Sequence, residues 1–324
     1  MPQFIRDIEL TSFVGVELRI YTIGYSRQGE TILLLLCQGD NILFSILTDC
    51  FQKHRKGVPY FDALDDIFAN YKEPRIDAFI WTHPDLDHSV GIRNVLGKFD
   101  PTRECLVYIP ATLDRKLKYG NCKHANDAFE YLLDTYGERV DAIGIMDRTE
   151  QKCIEASILD LSSGLKIHID GFFLAPSSSL LLQRSYREKT FKMNDLSIVY
   201  SLSINGRNLL FTGDVEGTNI NRLCNTHLQN LIFHKIPHHG SNHSSQLSNK
   251  LLALENFDVT QTVTQKGSTP NVKELAAYKN LGEIWVASDD TISTYNYGVV
   301  CMRYDLRSMQ LIGSPQTNGN AHKL

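Results

Sequence analysis

The run Ile76 to Trp81 alternates like a short strand, Ser89 to Lys98 has the texture of a helix, and between them stands His83-Pro84-Asp85-Leu86-Asp87-His88. Four ligand-type side chains fall within six residues, in a tight turn held by Pro84, so they can converge on one point. A turn of this kind needs a strand on one side and a helix on the other, which directs the chain toward an α/β arrangement. The plainer reading is a helix start, with Asp85 or Asp87 capping the helix from Ser89. Capping explains one aspartate and leaves both histidines without a role.

Three further positions repeat the pattern of a polar residue closing an apolar strand. Asp49 ends Ile46-Leu47-Thr48, Asp214 ends Leu209 to Gly213, and His238-His239-Gly240-Ser241 ends Leu231 to Pro237. Carboxylates and imidazoles at strand ends are held by rigid elements yet open to solvent, as a catalytic metal centre requires. Five of the eleven histidines lie between His227 and His243. Taken singly each position has a bland reading; taken together they point to metal.

The remaining sequence reads as strands with interspersed helices. Val14 to Thr22, Thr31 to Gln38 and Ile42 to Thr48 are β-like runs separated by polar turns. Tyr60 to Tyr71 carries apolar residues at helical spacing, and Ala125 to Tyr136 is a helix stopped by Gly137. Leu165 to Ile169, Leu196 to Ser203, Asn208 to Thr212, Val259 to Thr264 and Ile284 to Ala287 read as further strands, and Ile292 to Ile312 as a closing hairpin. Residues 111–160 are more polar, and this stretch reads as a helical insertion that caps a cleft. The expectation is one domain over residues 1–324.

The order Asp49, H-x-D-x-D-H, T-G-D and P-H-H-G-S resembles the metallo-β-lactamase superfamily. Within it the chain is most similar to the branch found as the C-terminal domain of the DNA-uptake protein ComEC and to related stand-alone hydrolases. Ile23 to Thr31, Asn194 to Ser197, Leu210 to Glu216 and Pro237 to Ser241 carry the likeness. It implies an αβ/βα four-layer sandwich with the 111–160 stretch as an α-helical insertion. It also implies two divalent metal ions: His83 and Asp85 on one, Asp87, His88 and His239 on the second, and Asp214 between them. Asp49 would orient a ligand histidine, and His238 would face the substrate as a phosphate contact or proton donor. The oxygen and nitrogen donors suit Zn²⁺ or Mn²⁺. Two departures stand out: Ala175 occupies the place where the superfamily often has another ligand histidine, and no histidine stands near Thr269-Pro270.

Phosphodiester hydrolysis of DNA or another nucleic acid is the leading expectation for activity, with Asp87, His238 and Asp49 in the catalytic machinery. Asn194, Ser241 and His238 are the candidate substrate contacts. The basic run Arg184 to Lys192 would steer a phosphate backbone, and Gly240 to Ser245 would cradle a phosphate or simply cap the helix that follows. A small phosphodiester, a lactone or a thioester stays open as substrate, as does a metal-binding subunit of a larger, defence-related bacterial complex. Net charge is −4, which excludes a polycation coating nucleic acid. The seven scattered cysteines suit a reduced, cytoplasmic protein without a sulfur-ligated zinc. No apolar run spans a bilayer, and MPQFIRDIEL has no signal-peptide pattern.

Overall fold

In a computed structural model the structure describes residues 4–25, 28–52, 63–111, 122–183, 192–267, 269–270, 272–287, 297–319 and 321–324. Two large mixed sheets lie face to face. The first has nine strands, in spatial order β1 (Phe4–Leu10), β9 (Gln151–Asp160), β10 (Lys166–Ala175), β11 (Val199–Ile204), β12 (Arg207–Phe211), β13 (Leu231–Lys235), β14 (Thr260–Val263), β15 (Ile284–Val286) and β18 (His322–Lys323). The second has eight: β17 (Gln316–Gly319), β16 (Gly298–Asp305), β2 (Val16–Gly24), β3 (Glu30–Gln38), β4 (Asn41–Thr48), β6 (Ala78–Ile80), β7 (Leu106–Pro110) and β8 (Val140–Ile143). A two-residue strand, β5 (Cys50–Phe51), continues beyond Asp49.

Strand β3 shows why the sheets are covered on both sides. Its residues Ile32, Leu34 and Leu36 enter the core between the sheets, and Leu33, Leu35 and Cys37 enter a second core on the outer face. Because successive strand side chains point to opposite faces, a nearly continuous apolar run needs a partner layer on each. Helices provide it. On the second sheet, α1 (Ala63–Phe68), α3 (Ile92–Phe99) and α4 (Lys123–Tyr136) bury Leu64, Leu96, Phe129 and Leu132. On the first sheet, α6 (Gly217–Arg222), α7 (Ser245–Ala253) and α8 (Val272–Lys279) bury Ile220, Leu251 and Tyr278. Each buried Leu or Ile contributes about 1.5–3 kcal/mol. Two short helices, α2 (Leu86–Ser89) and α5 (Ser178–Gln183), follow strand ends.

The 111–160 stretch differs from the expected helical cap. Helix α4 packs on the second sheet, β8 pairs with β7, and β9 lies between β1 and β10. The reason is in β9: Ile154, Ala156 and Ile158 are buried at every second position, and the polar residues between them hide that alternation from a reading of average polarity. The closing hairpin is β16 with β17, reaching Gly319 rather than ending at Ile312; residues 292–296 lie outside the described residues. Among the described residues no helix is long and apolar enough to cross a membrane. All seven cysteines are free thiols, and six of them are buried.

Candidate metal centre

Parallel strands place the site. β4, β6 and β7 run parallel in one sheet, and β12, β13 and β14 run parallel in the other. Asp49 follows β4, the His83–His88 turn follows β6, Asp214 follows β12, and His239 follows β13. All four lie at the carboxyl ends of parallel strands, where the main chain turns and side chains are free to converge. Gly213 lets the two sheets meet closely: its φ is +50°, and a Cβ there would stand 2.9 Å from the Thr82 Cβ.

The Nδ1 side of each imidazole is held from behind. His88 Nδ1 donates to Asp49 Oδ2 at 2.7 Å. Asp49 also accepts from the Thr82 amide at 2.7 Å and from the Thr82 hydroxyl at 2.6 Å. With its proton committed to Asp49, the Thr82 oxygen accepts from His83 Nδ1 at 3.0 Å. His239 has the same device from other residues: Nδ1 donates to Thr264 Oγ1 at 2.8 Å, and the Thr264 hydroxyl donates to Glu30 Oε2. Glu30 is in turn paired with Lys235 at 2.6 Å, both fully buried. Fixing Nδ1–H leaves the Nε2 atom of all three rings facing inward.

Inward, those atoms meet carboxylates. Asp214 Oδ2 lies 3.5 Å from His88 Nε2, 3.7 Å from His239 Nε2 and 3.8 Å from His83 Nε2. Asp87 Oδ2 lies 3.3 Å from His88 Nε2 and 3.0 Å from His239 Nε2. Asp87, His88, Asp214 and His239 each offer an atom within 4.8 Å of all the others. His83 Nε2 also lies 3.7 Å from Asp85 Oδ2. His83 Nε2, His88 Nε2 and both Asp214 oxygens are buried with no hydrogen-bond partner among the described residues. Each such orphan costs about 1–3 kcal/mol, and a divalent cation relieves all of them at once. The donor set of Asp87, His88, His239 and Asp214 therefore fits a metal ion, and His83 and Asp85 stand beside it.

The electrostatics agree. Burial opposes ionisation of Asp87 and Asp214, yet neighbouring imidazoles hold both carboxyls well below the ordinary range. Burial would likewise lower His88, but Asp87, Asp214 and Asp49 hold it well above its usual value. Asp85 is lowered against its own burial by His83.

At the mouth, His238 Nδ1 is bound by Glu216, with Ser241 Oγ at 2.9 Å and Asn194 Nδ2 at 3.5 Å, while Nε2 lies 4.0 Å from Asp214 Oδ2. Burial opposes protonation of His238, but the Glu216 hydrogen bond and Asp214 raise its pKa. His238 and His239 are consecutive left-handed residues, with φ of 46° and 51°. That conformation is costly away from glycine and is found where surrounding structure imposes it.

The structure thus brings together His83, Asp85, Asp87, His88, Asp214 and His239, sets Asp49 behind them, and gathers His238, Asn194 and Ser241 at the mouth. The Ser-rich turn does not cap the helix that follows: Ser244, at the start of α7, makes no side-chain cap hydrogen bond, and the Ser244 and Ser245 hydroxyls donate instead to the carbonyls of Ser241 and Asn242. His227 stacks on Phe172 and His234 hydrogen-bonds Gln261, so neither reaches the centre. Ala175 is buried at the end of β10, and His168 and His124 are exposed elsewhere. Of the basic run Arg184 to Lys192, all but Lys192 lies outside the described residues. Sequence reasoning missed Glu30, Lys235, Thr264, Lys266 and Glu216. Two of these, Glu30 and Glu216, stand inside segments that carry the family likeness.

No family model and no curated protein matches the chain. Among solved structures it is similar to one described as the peroxy diiron species of the chemotaxis sensor ODP, at 15% identity and TM-score 0.34 over 81% of this chain and 91% of that one. It is also similar to a protein of unknown function from Enterococcus faecalis, at 12% identity and TM-score 0.31 over 81% and 63%. At those TM-scores neither likeness carries an argument. What stands is an α/β chain whose two mixed sheets bury a cluster of acidic and histidine side chains able to hold metal.

Proposed function

We propose that this chain is a metallo-β-lactamase-type hydrolase that uses two divalent ions, Zn²⁺ or Mn²⁺, to cleave phosphodiesters, with DNA or another nucleic acid as substrate. The observation that carries the reading is the convergence of three Nε2 atoms and the Asp87 carboxylate on Asp214 Oδ2, with their opposite faces tied to Asp49, Thr82 and Thr264. Such a pair of ions, when bound, polarises the scissile group, activates water near neutral pH and stabilises charge on both oxygens of an in-line displacement.

The chain's own residues supply the rest. Asp49, Thr82 and Thr264 hold the ligand rings so that no reorganisation is needed during reaction. His238, whose protonation Glu216 and Asp214 favour, would hold a proton at Nε2 for the leaving oxygen. Asp85, His238 and Lys266 are each partly exposed, so the mouth opens to solvent, as an extended substrate needs. The six-residue H-x-D-x-D-H turn and the P-H-H-G-S turn support membership of the superfamily. The missing imidazole at Ala175 makes the ion on His83 and Asp85 the weaker of the two.

The test is cleavage of supercoiled plasmid, linear and single-stranded DNA by purified protein with Mn²⁺ or Zn²⁺, beside an Asp87→Ala/His88→Ala variant. Metal-dependent nicking that is lost in the variant is expected. Bound metal with no cleavage of any nucleic acid overturns the nuclease reading, and transfers attention to small phosphodiesters, lactones and thioesters or to a subunit that holds metal for a partner.

A further inference from the structure

Lys266 stands in the loop after β14, where its backbone closes a small turn: its amide donates to Thr269 O at 3.2 Å, and the Thr269 amide donates back at 2.9 Å. That loop is seated against the turn that carries His239. A Cβ at Gly240 would lie 3.1 Å from Pro270 Cβ and 3.0 Å from Leu275 Cδ2. From this anchorage the ammonium reaches Asp87 Oδ2 at 2.7 Å, the same oxygen that His239 Nε2 approaches at 3.0 Å.

Among the described residues, two cations near the centre are differently built. Lys235 is wholly buried and held by Glu30, 4.0 Å from Asp214 Oδ1. Lys266 is 37% exposed while its partner Asp87 is 3% exposed. Its ammonium therefore enters from the solvent side, on a flexible four-carbon stem, onto an oxygen of the metal-binding set. A metal ion would bind that oxygen at about 2.0–2.2 Å and would repel an ammonium sharing it. The four-carbon stem lets Nζ withdraw toward the solvent side from which it enters.

We propose that Lys266 is a tethered cation that occupies Asp87 when the ion on Asp87, His88 and His239 is missing, yields to that ion when it binds, and then contacts an anionic oxygen of the substrate. The proposal rests on the metal-centre reading above. It makes Lys266 both a competitor for metal and a positive contact for a phosphoryl oxygen, a double role open to a mobile lysine and closed to the buried Lys235.

The experiment is titration of the full chain with Mn²⁺, reading free Mn²⁺ by electron paramagnetic resonance, for wild type, Lys266→Met, Lys266→Arg and Asp87→Asn. Lys266→Met is expected to bind Mn²⁺ about tenfold more tightly, equivalent to about 1.4 kcal/mol, and Lys266→Arg to stay within about threefold of wild type. Asp87→Asn loses the site. Unchanged affinity in Lys266→Met overturns the proposal, as does equal tightening in Lys266→Arg, which would make bulk and not charge the cause. Failure of wild type to bind Mn²⁺ overturns the metal centre itself, a result distinct from the other two. A second arm measures inorganic phosphate binding to the Mn²⁺-loaded chain by calorimetry. Phosphate is expected to bind at least fivefold more weakly to Lys266→Met (of the order of a lost charge-assisted hydrogen bond); equal affinity overturns the anion contact.

Discussion

Two hydroxyls do for His83 and His239 what a carboxylate does for His88. Thr82 and Thr264 each donate to an acid and accept from an imidazole, so the charge of Asp49 or Glu30 acts on the ring through one intervening oxygen. Thr264→Val keeps the shape and removes the relay. It is expected to weaken metal binding about 10–100-fold while costing only about 1 kcal/mol of stability, a split that Mn²⁺ titration beside urea denaturation would show. An equal loss in both measurements would reduce Thr264 to a packing residue. The candidate ligands were legible in the sequence because their chemistry is crowded into short runs at strand ends. Glu30, Lys235, Thr264 and Lys266 were not, since each is a single polar residue at or beside a strand, and its meaning comes from a partner in the opposite sheet or across the cleft.

Strand β13 carries a different lesson about histidines. His234 is fully buried with its Nδ1 facing Gln261 Oε1 at 3.4 Å, and burial pushes its pKa down to about 3. The unfolded chain, with an ordinary imidazole, takes up a proton between pH 6.5 and about 3 that the folded chain refuses. The stability contributed by the neutral ring is therefore whole above pH 6.5 and lost as pH falls through that window, by up to about 1.4 kcal/mol per unit. His234→Asn keeps a donor near Nδ1, and denaturant titrations between pH 4 and 7 should give it a shallower slope than wild type; parallel slopes would refute the assignment. At this scale the longer strands and the two-turn helices were readable from periodicity. Strand β1, with Arg6, Asp7 and Glu9 in seven residues, and the half-polar β9 were not. Their place is set by pairing across about 150 residues of sequence, as in Phe4 with Ile154.

The two sheets of the molecule meet at the candidate metal centre. Asp49 and the His83–His88 turn belong to one sheet, Asp214 and His239 to the other, so an ion held by both sets ties the sheets together. An ion that binds only the folded chain stabilises it by about 2.7 kcal/mol at a hundredfold excess over its dissociation constant. Mn²⁺ or Zn²⁺ should therefore raise the melting temperature, a chelator should reverse the rise, and Asp87→Ala/His88→Ala should respond much less to both, keeping only the weaker ion. A melting temperature indifferent to metal in the wild type would mean that the ligands are not recruited from both sheets.

Strand β16 pairs along its whole length with β2, from Gly298 with Gly24 to Asp305 with Glu17. A nascent chain emerging from the ribosome makes β2 early and must then wait for residues 298–305 before that side of β2 is covered. Throughout that interval an open edge of β2, carrying Leu18, Ile20 and Ile23, invites pairing with another chain. During biosynthesis this edge is thus exposed to aggregation in a way the finished fold closes, and a holding chaperone would protect it until β16 is made.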